Sequence, residues 1–263
     1  MIDLAVFILS YNRAEYLKAA IESILQQSYP HFKIIISDNS TTDDVQNSLS
    51  EFATNSRVSV IRRSPSLNNI DHFNCVLSEA QKYPHFMMFH DDDLMLNGCI
   101  EKMMAVIKSH DGISAVGCNA FIKTQIDSSK IFNPNLTENL MISTPKQLIQ
   151  HYLNPNLSHI PFPFYIYNSK ATQLLIMDKT QGGKHCDLSF LCQVVEKSPL
   201  FWLAEPLALY RRHSHNDSGS INMKDIFSLA KFILNRYHTG YWRLSIFIFK
   251  SFLLYLKSIF FKK

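Results

Sequence analysis

Short apolar runs and longer amphipathic stretches alternate along the first half of the chain. Four apolar runs predict buried strands at residues 2–10, 33–37, 58–61 and 85–90. The stretches between them carry apolar residues at helical spacing, which predicts helices at 13–27, near 43–53 and at 70–82. The pattern continues with a helix predicted at 97–110 and a strand at 113–122. This alternation predicts an α/β fold built on a parallel sheet with right-handed crossovers.

The pattern weakens between residues 123 and 165, where proline-containing turns interrupt short polar segments. We expect this region to shape a ligand cleft rather than to continue the sheet. Helical periodicity returns at 186–196, after a Gly-Gly pair, and strand-like segments follow at 200–203 and 208–212.

The charge distribution sets the C-terminal segment apart. The formal net charge is +4, yet seven basic residues and no acidic residue follow Asp225, so the rest of the chain carries −3. Basic residues recur at every seventh position from Arg236 to Lys257 among aromatic and aliphatic ones, which aligns them along one helix face. This pattern is typical of a helix in the interface of an anionic membrane. The alternatives are a spanning helix, which the lysines disfavour, and burial against the body or a partner subunit.

The same segment is too apolar for a solvated nucleic-acid-binding arm, so no nucleic acid is expected as a partner. Five cysteines, an odd number without a Cys-x-x-Cys pair, indicate free thiols in a reducing compartment. The chain enters its first apolar run without a basic leader, so we expect no signal peptide and a cytosolic protein.

Three adjacent carboxylates, Asp91, Asp92 and Asp93, follow the strand predicted at 85–90. Like charges repel, and burial increases the cost, so such a cluster calls for solvent, positive partners or a hard divalent cation. Ligands of open α/β sheets bind at the carboxyl ends of the strands, which favours a metal-assisted site for a phosphorylated ligand. The alternative is a solvated acidic turn that caps the next helix.

Other candidate residues also follow predicted strands or begin a helix. The segment from Ser10 to Arg13 lacks the glycine-rich turn of a phosphate cradle, but Tyr11 offers a face for stacking on a base. Asp38 could accept a hydrogen bond from a ring N–H, and its alternative role is to cap the following helix. Asp187 begins the helix predicted at 186–196, where capping is again the alternative.

Three segments of the chain carry a family resemblance. Residues 8–17, 23–30 and 36–43 read ILSYNRAEYL, SILQQSYP and ISDNSTTD. They resemble the opening of glycosyltransferase family 2, which comprises inverting enzymes of the GT-A fold. The likeness runs almost without gaps to residue 97 and thinly to about residue 220. It implies a Rossmann-like, mostly parallel sheet with helices on both faces, plus a C-terminal helical segment.

The resemblance implies a division of the chain and roles for the donor-site residues. Residues 1–122 would bind the nucleotide-sugar donor, 123–220 would bind the acceptor, and 221–263 would form basic amphipathic helices. Tyr11, after Ser10, matches the aromatic that stacks on the base, and Asp38 matches the carboxylate that binds a uracil-type ring edge.

The acidic cluster matches the family's Asp-x-Asp motif, which holds the donor ribose and a Mn²⁺ or Mg²⁺ ion. Two registers are open. If His90 stands at the first motif position, Asp92 contacts the metal; if the motif begins at Asp91, Asp93 does. We favour Asp92 and keep Asp91, Asp92 and Asp93 as site residues.

The resemblance extends to two later segments. Asp187, in KHCDLSFL, matches the family's general base, although Cys186 replaces its usual acidic neighbour. The segment LYRRHSHNDS matches a Tyr-Arg-x-His motif, in which Arg211 and His213 suit a diphosphate and its metal; the alternative is a basic surface turn. Many relatives carry an arginine in the helix before the acidic cluster, and this chain does not. Arg13 or Arg211 would then supply the phosphate-binding charge.

The implied activity is transfer of a sugar from a nucleotide diphosphate donor, with UDP the expected nucleotide, to an acceptor hydroxyl. The implied acceptor is a glycan or lipid-linked glycan of bacterial surface polysaccharide synthesis, such as lipopolysaccharide O-antigen. The implied location is peripheral, on the cytoplasmic face of the inner membrane. A sugar nucleotidyltransferase and a non-catalytic membrane-associated scaffold are the alternatives.

Overall fold

The first half of the chain folds as the predicted alternation of strands and helices. A computed structural model describes residues 2–124, 130–154, 156–157, 159–213 and 222–260. Its first ten elements are β1 (Leu4–Ser10), α1 (Ala14–Leu25), β2 (Phe32–Asp38), α2 (Asp44–Ser48), β3 (Val58–Arg62), α3 (Asn69–Ala80), β4 (His85–His90), β5 (Leu94–Met95), α4 (Cys99–Ser109) and β6 (Ala115–Lys123). The helix predicted near 43–53 is divided into α2 and a 3-10 turn at Ser50–Phe52.

The second half is less regular and ends in two helices. Its elements are β7 (Lys130–Ile131), β8 (Leu140–Ile142), α5 (Pro145–Leu153), β9 (Tyr165–Asn168), α6 (Ser169–Thr172), α7 (Cys186–Lys197), β10 (Leu200–Arg211), α8 (Met223–Tyr237) and α9 (Tyr241–Phe260). The strand-like segments predicted at 200–203 and 208–212 are one strand, β10, whose pairing with β6 shifts register on both sides of Pro206.

The described strands form one sheet, in the order β3-β2-β1-β4-β9-β6-β10-β5, with β7 added beside β6 and β8 beside β10. Strands β3, β2, β1 and β4 are parallel, as predicted. The expectation that residues 123–165 do not continue the sheet is wrong, because β7 and β8 join it and β9 begins at Tyr165. β9 lies antiparallel between β4 and β6. Strands this short carry no clear periodicity, and their partners are distant in sequence.

Helices cover the central strands and leave polar residues at one edge of the sheet. Every residue of β1 is buried, as expected for a strand enclosed on both faces. α1 buries Leu17, Ala20, Ile21 and Ile24, whose spacing of three and four residues defines one helix face. The parallel register aligns Ser10 with Asp38 at the carboxyl ends of β1 and β2. The polar segments after β1, β2 and β4 therefore meet at the same edge.

We predict that Gly117→Ala destabilises the junction of β6 and β9. A Cβ atom at Gly117 would lie 2.6 Å from Cε1 of the fully buried Tyr165. Overpacking of this kind costs about 1–3 kcal/mol of the free energy of unfolding, which chemical denaturation would measure. A Gly117→Ala variant as stable as the wild type would contradict the packing of Tyr165 on this glycine.

Candidate active site

Hydrogen bonds join the two polar loops that follow β1 and β2. The backbone N–H of Asn12, at φ 53°, donates to Ser40 Oγ at 2.9 Å. Its side-chain Oδ1 accepts from the N–H of Thr41 at 2.9 Å. The carbonyl oxygen of Ser10 accepts from the N–H of Asn39, also at 2.9 Å. These bonds hold Ser10, Tyr11 and Arg13 against the loop that carries Asp38.

Asp38 is fully buried and bound by an arginine that the sequence analysis missed. Its Oδ2 accepts from Arg62 Nη1 at 2.6 Å, and its Oδ1 accepts from the N–H of Ser40 at 3.0 Å. Asp38 and Arg62 are Cα partners in the parallel pairing of β2 and β3, so that register was the signal that could have identified Arg62. The Asp38 side chain has no exposed surface, whereas the Arg62 side chain is 26% exposed. A ligand N–H would therefore reach Asp38 only after Arg62 moves aside, and the base-binding role of Asp38 stays a prediction.

The acidic cluster is buried, which excludes the alternative of a solvated turn. Asp91, Asp92 and Asp93 are only 1%, 4% and 1% exposed. They also do not cap the next helix, since Gly98 precedes α4 without a side-chain cap. Three buried carboxylates in a row need compensating charge.

Arg13 and His213 provide part of that compensation. Arg13 Nη1 lies 3.3 Å from Asp91 Oδ1 and 2.9 Å from Asp92 Oδ2. His213 Nε2 lies 3.0 Å from the same oxygen of Asp92. The backbone N–H of Tyr11 donates to Asp91 Oδ2 at 3.1 Å. The first loop and the segment after β10 therefore meet at the acidic cluster, as the predicted site required.

Arg211 binds the backbone around the cluster. Its N–H donates to Asp93 Oδ1 at 3.0 Å, and its Nη2 donates to the carbonyl oxygens of Asp91 at 3.2 Å and Tyr16 at 3.1 Å. Its Nε donates to the carbonyl oxygen of Asp92. The ring of Tyr16 contacts both the Arg211 guanidinium, at 4.9 Å, and the His213 imidazole, at 4.7 Å. The alternative of a basic surface turn is thus excluded for Arg211 and His213; residues 214–218 lie outside the described residues.

The pKa values of the three carboxyl groups are shifted in different directions. Burial raises the pKa of Asp91 to about 6, the Asp92 charge adds to this, and Arg13 opposes it. Burial also opposes ionisation of Asp92, but His90, Arg13 and His213 together hold its pKa below the ordinary value. Burial and the Asp92 charge raise the pKa of Asp93 well above the ordinary value. An added cation would favour the ionised form of all three.

His90, Asp92 and Asp93 fit a divalent metal ion. One ligand atom from each lies within 4.8 Å of the others. Within the described residues, Asp93 Oδ2 is buried without a hydrogen-bond partner, a cost that a bound cation would remove. One imidazole and two carboxylates suit Mn²⁺ better than Mg²⁺, which prefers an all-oxygen octahedron. The group contains the metal-contacting carboxylate of either register. His213 is joined to the group by its contact with Asp92, and a ligand role for His213 stays a prediction.

Asp187 lies in the first turn of α7, where its Oδ1 accepts from the N–H of Leu188 at 2.8 Å. Its side chain is partly accessible, and the surrounding protein still raises its pKa to about 6 by burial. The Asp187 charge contributes to raising the pKa of Tyr165 and Tyr167 in β9. Within the described residues no hydrogen bond or ion pair joins Asp187 to the acidic cluster, so its role as a base stays a prediction.

A cavity of about 540 Å³ lies beside the start of α3. It is lined by Asn68, Asn69, Ile70, Asp71, Ile176, Met177, Asp178 and Lys179. Asn74 Nδ2 donates to the carbonyl oxygen of Met177 at 2.9 Å, and Asn74 Oδ1 accepts from the N–H of Met177 at 2.8 Å. These bonds fix the side of the cavity that contains Met177. Phe73 lies 6.3 Å from the ring of His90, which places this helix beside the metal-binding group.

Comparisons with known proteins agree with this arrangement. The model of the family described as Glycosyl transferase family 2 matches residues 5–175. An uncharacterized glycosyltransferase from Haemophilus influenzae is 29% identical over 115 residues, which cover 43% of this chain and 35% of that protein. The chain therefore belongs to glycosyl transferase family 2, although it matches only about a third of the length of that curated relative.

Solved structures share the fold. Residues 1–349 of Staphylococcus aureus TarS, in complex with UDP-GlcNAc, match with a TM-score of 0.72 at 14% identity, over 100% of this chain and 76% of that one. The mannosyltransferase PcManGT from Pyrobaculum calidifontis, in complex with GDP-Man and Mn²⁺, matches with a TM-score of 0.64 at 9% identity, over 99% of this chain and 76% of that one. The fold is the predicted GT-A α/β fold with C-terminal helices, but its sheet is mixed rather than mostly parallel, because β5, β7, β8 and β9 pair antiparallel with their neighbours.

We predict that Asp93→Asn raises the melting temperature without metal and removes stabilisation by Mn²⁺. Asparagine cannot ionise, so it avoids the burial cost that raises the pKa of Asp93, but it is a poor ligand for a hard cation. Thermal unfolding with EDTA and with Mn²⁺ measures both effects. Asp111→Asn, at an exposed position, should behave as the wild type. Equal Mn²⁺ stabilisation of the wild type and Asp93→Asn would show that Asp93 does not bind the metal.

Proposed function

We propose that this protein is an inverting glycosyltransferase that moves a sugar from a nucleotide diphosphate sugar to an acceptor hydroxyl. One observation carries the proposal: the ends of β1, β2 and β4 bring an exposed aromatic ring, a fixed buried carboxylate and a metal-binding group to one edge of the sheet. The aromatic ring and the buried carboxylate match the base of such a donor, and the acidic cluster with its metal-binding group matches the ribose and the diphosphate with its cation.

The donor would bind along this edge from Tyr11 to the acidic cluster. The ring of Tyr11, which is 48% exposed, can stack on the base. Asp38 would accept a ring N–H once Arg62 moves aside. UDP is the proposed nucleotide because a uracil edge offers such an N–H and because the family resemblance implies a uracil-type base. Asp91 and Asp92 would hold the ribose.

The diphosphate would bind beside His90, Asp92 and Asp93, which would hold Mn²⁺ or Mg²⁺. The bound cation would neutralise the charge that develops on the departing diphosphate. Arg13 now binds two carboxylates, and a cation that compensates them would release it toward the phosphates. Arg211 is held by the backbone and presents a fixed positive charge beside the same group.

Asp187 would act as the general base for the acceptor. A carboxylate with a pKa of about 6 is ionised at neutral pH and more basic than an ordinary one, as the role requires. It would take the proton from the acceptor hydroxyl as that oxygen attacks the anomeric carbon from the side opposite the leaving group. Attack from that side inverts the configuration of the sugar.

The acceptor proposed is a glycan or lipid-linked glycan of surface polysaccharide synthesis. The cavity beside α3 supports a sugar-binding role, because its lining includes Asn68, Asp71, Asp178 and Lys179, whose polar groups could donate to or accept from sugar hydroxyls. A nucleotidyltransferase with the same donor would release or consume pyrophosphate, whereas the proposed reaction releases the nucleoside diphosphate. Incubation with a panel of nucleotide sugars and Mn²⁺, with UDP as the measured product, therefore tests the proposal.

We predict that tight UDP binding requires a divalent metal and the acidic cluster. Titration calorimetry should show weaker binding in EDTA than in Mn²⁺, because the cation links the diphosphate to carboxylates that otherwise repel it. Asp92→Asn should lose most of the difference between the two conditions, while Asp111→Asn keeps it. Equal UDP affinity of the wild type in EDTA and Mn²⁺ would contradict the metal-dependent site.

We also predict that Asp187→Asn strongly lowers kcat while retaining UDP binding. General-base catalysis contributes on the order of 10²- to 10⁴-fold, and the base acts on the acceptor rather than on the nucleotide. In the wild type at saturating Mn²⁺ and donor, kcat should fall as pH drops below about 6, where Asp187 becomes protonated. Saturating Mn²⁺ is needed because Asp91 also has a pKa of about 6, and a bound cation keeps the acidic cluster ionised. This acidic limb should be absent from the residual rate of Asp187→Asn. A variant with near-normal kcat would show that Asp187 only supports α7 and that the base lies elsewhere.

A further inference from the structure

The last helix, α9, has two different faces. Leu244 and Ser251 are buried, and Phe247 and Ile248 between them pack against the core, so this face is covered by the protein. The neighbouring elements are α5 and α8. Seven other large apolar side chains of α9 are exposed: Tyr241, Trp242, Phe249, Phe252, Leu253, Leu254 and Ile259. Trp242 is 76% and Phe249 61% exposed, so α9 does not use this outer face to pack against the body.

A row of basic side chains borders the outer face. Arg243, Lys250 and Lys257 are exposed and stand seven residues apart, which aligns them along the helix. Trp242 and Phe249 precede two of them by one position, so the aromatic and basic rows lie side by side. Among the described residues, no carboxylate forms an ion pair with these three basic side chains. The outer face is therefore apolar with an uncompensated positive edge.

We propose that the outer face of α9 lies in the interface of a membrane rich in anionic lipid. Aromatic and aliphatic groups would enter the boundary between headgroups and acyl chains, and the basic row would face the lipid phosphates. Within the described residues, no helix is long and apolar enough to cross a membrane. A second copy of the chain fits less well, because no acidic residue follows Asp225 and two α9 helices would face each other with like charges.

The covered face of α9 leads to the helix that carries Asp187. The ring of Phe247 lies 6.0 Å from His185 and 6.5 Å from Tyr152. Tyr152 Oη and His185 Nδ1 are 2.6 Å apart, and His185 stands two residues before Asp187. A membrane bound to the outer face would thus lie across one helix from the proposed base. This proximity of the membrane to Asp187 rests on the proposed function. It favours an acceptor carried by a lipid over a free glycan.

Vesicle co-sedimentation of the full chain, without donor, tests the surface. The full chain should sediment with vesicles of phosphatidylcholine and phosphatidylglycerol and much less with phosphatidylcholine alone, and high salt should weaken but not abolish binding. Replacing Arg243, Lys250 and Lys257 together by glutamine should weaken binding by roughly a hundredfold. Replacing Trp242, Phe249 and Leu253 together by serine should abolish the salt-resistant part.

The control replaces Lys82, Lys108 and Lys170, which are exposed elsewhere, by glutamine and removes the same net charge. It should bind almost as the wild type does. The proposal is overturned if the full chain stays in the supernatant with anionic vesicles, or if the control loses as much binding as the α9 charge variant. If the full chain does not bind vesicles but self-associates, and the serine variant does not self-associate, the outer face of α9 is a dimer surface instead. Circular dichroism and the melting temperature of all variants, measured separately, show that they are folded and keep this result independent of the proposed activity.

Discussion

Three adjacent carboxylates buried at the end of β4 are the constraint on which the rest of the site depends. They are stable there only because positive groups and N–H donors arrive from distant parts of the chain. Arg13 comes from 78 positions before Asp91, and His213 from 121 positions after Asp92. Compensation of the negative charge of the cluster therefore joins the loop after β1 to the segment after β10. Among the described residues, these contacts leave Asp93 Oδ2 without a hydrogen-bond partner, beside His90 and Asp92. The three residues therefore fit a cation.

The C-terminal helices are part of this construction rather than an appended tail. The loop before α7 is fixed to α8, since the N–H of Gly182 donates to Ser228 Oγ at 3.1 Å. At the other end of α7, Glu196 accepts from Arg236 at 2.7 Å and from Tyr237 Oη at 2.9 Å. The position of Asp187 thus depends on α8, and α9 packs against α8 in turn. A surface that holds α9 would also orient the helix that carries the proposed base.

The family match ends at residue 175 and therefore covers the donor edge but not the rest of the site. Asp187, Arg211 and His213 lie beyond it. For Arg211 and His213 the contacts with the acidic cluster now supply the argument, whereas Asp187 is supported by its position, its raised pKa and the resemblance of its segment. The likeness to solved structures extends over the whole chain, but at such low identity it concerns the fold and not the substrate. The donor sugar and the acceptor accordingly belong to the proposed function.

The sequence by itself determined the strand–helix order of the first half, because the local spacing of apolar residues distinguishes buried strands from amphipathic helices. It also identified the acidic cluster and the basic, apolar character of α9. Only the tertiary structure placed β9 antiparallel inside the sheet, paired Asp38 with Arg62 and divided α9 into a covered and an exposed face. Each of these depends on which distant segments come into contact. Four residues of β9 carry too little periodicity to reveal a partner, and only the contacts of the folded chain place them between β4 and β6.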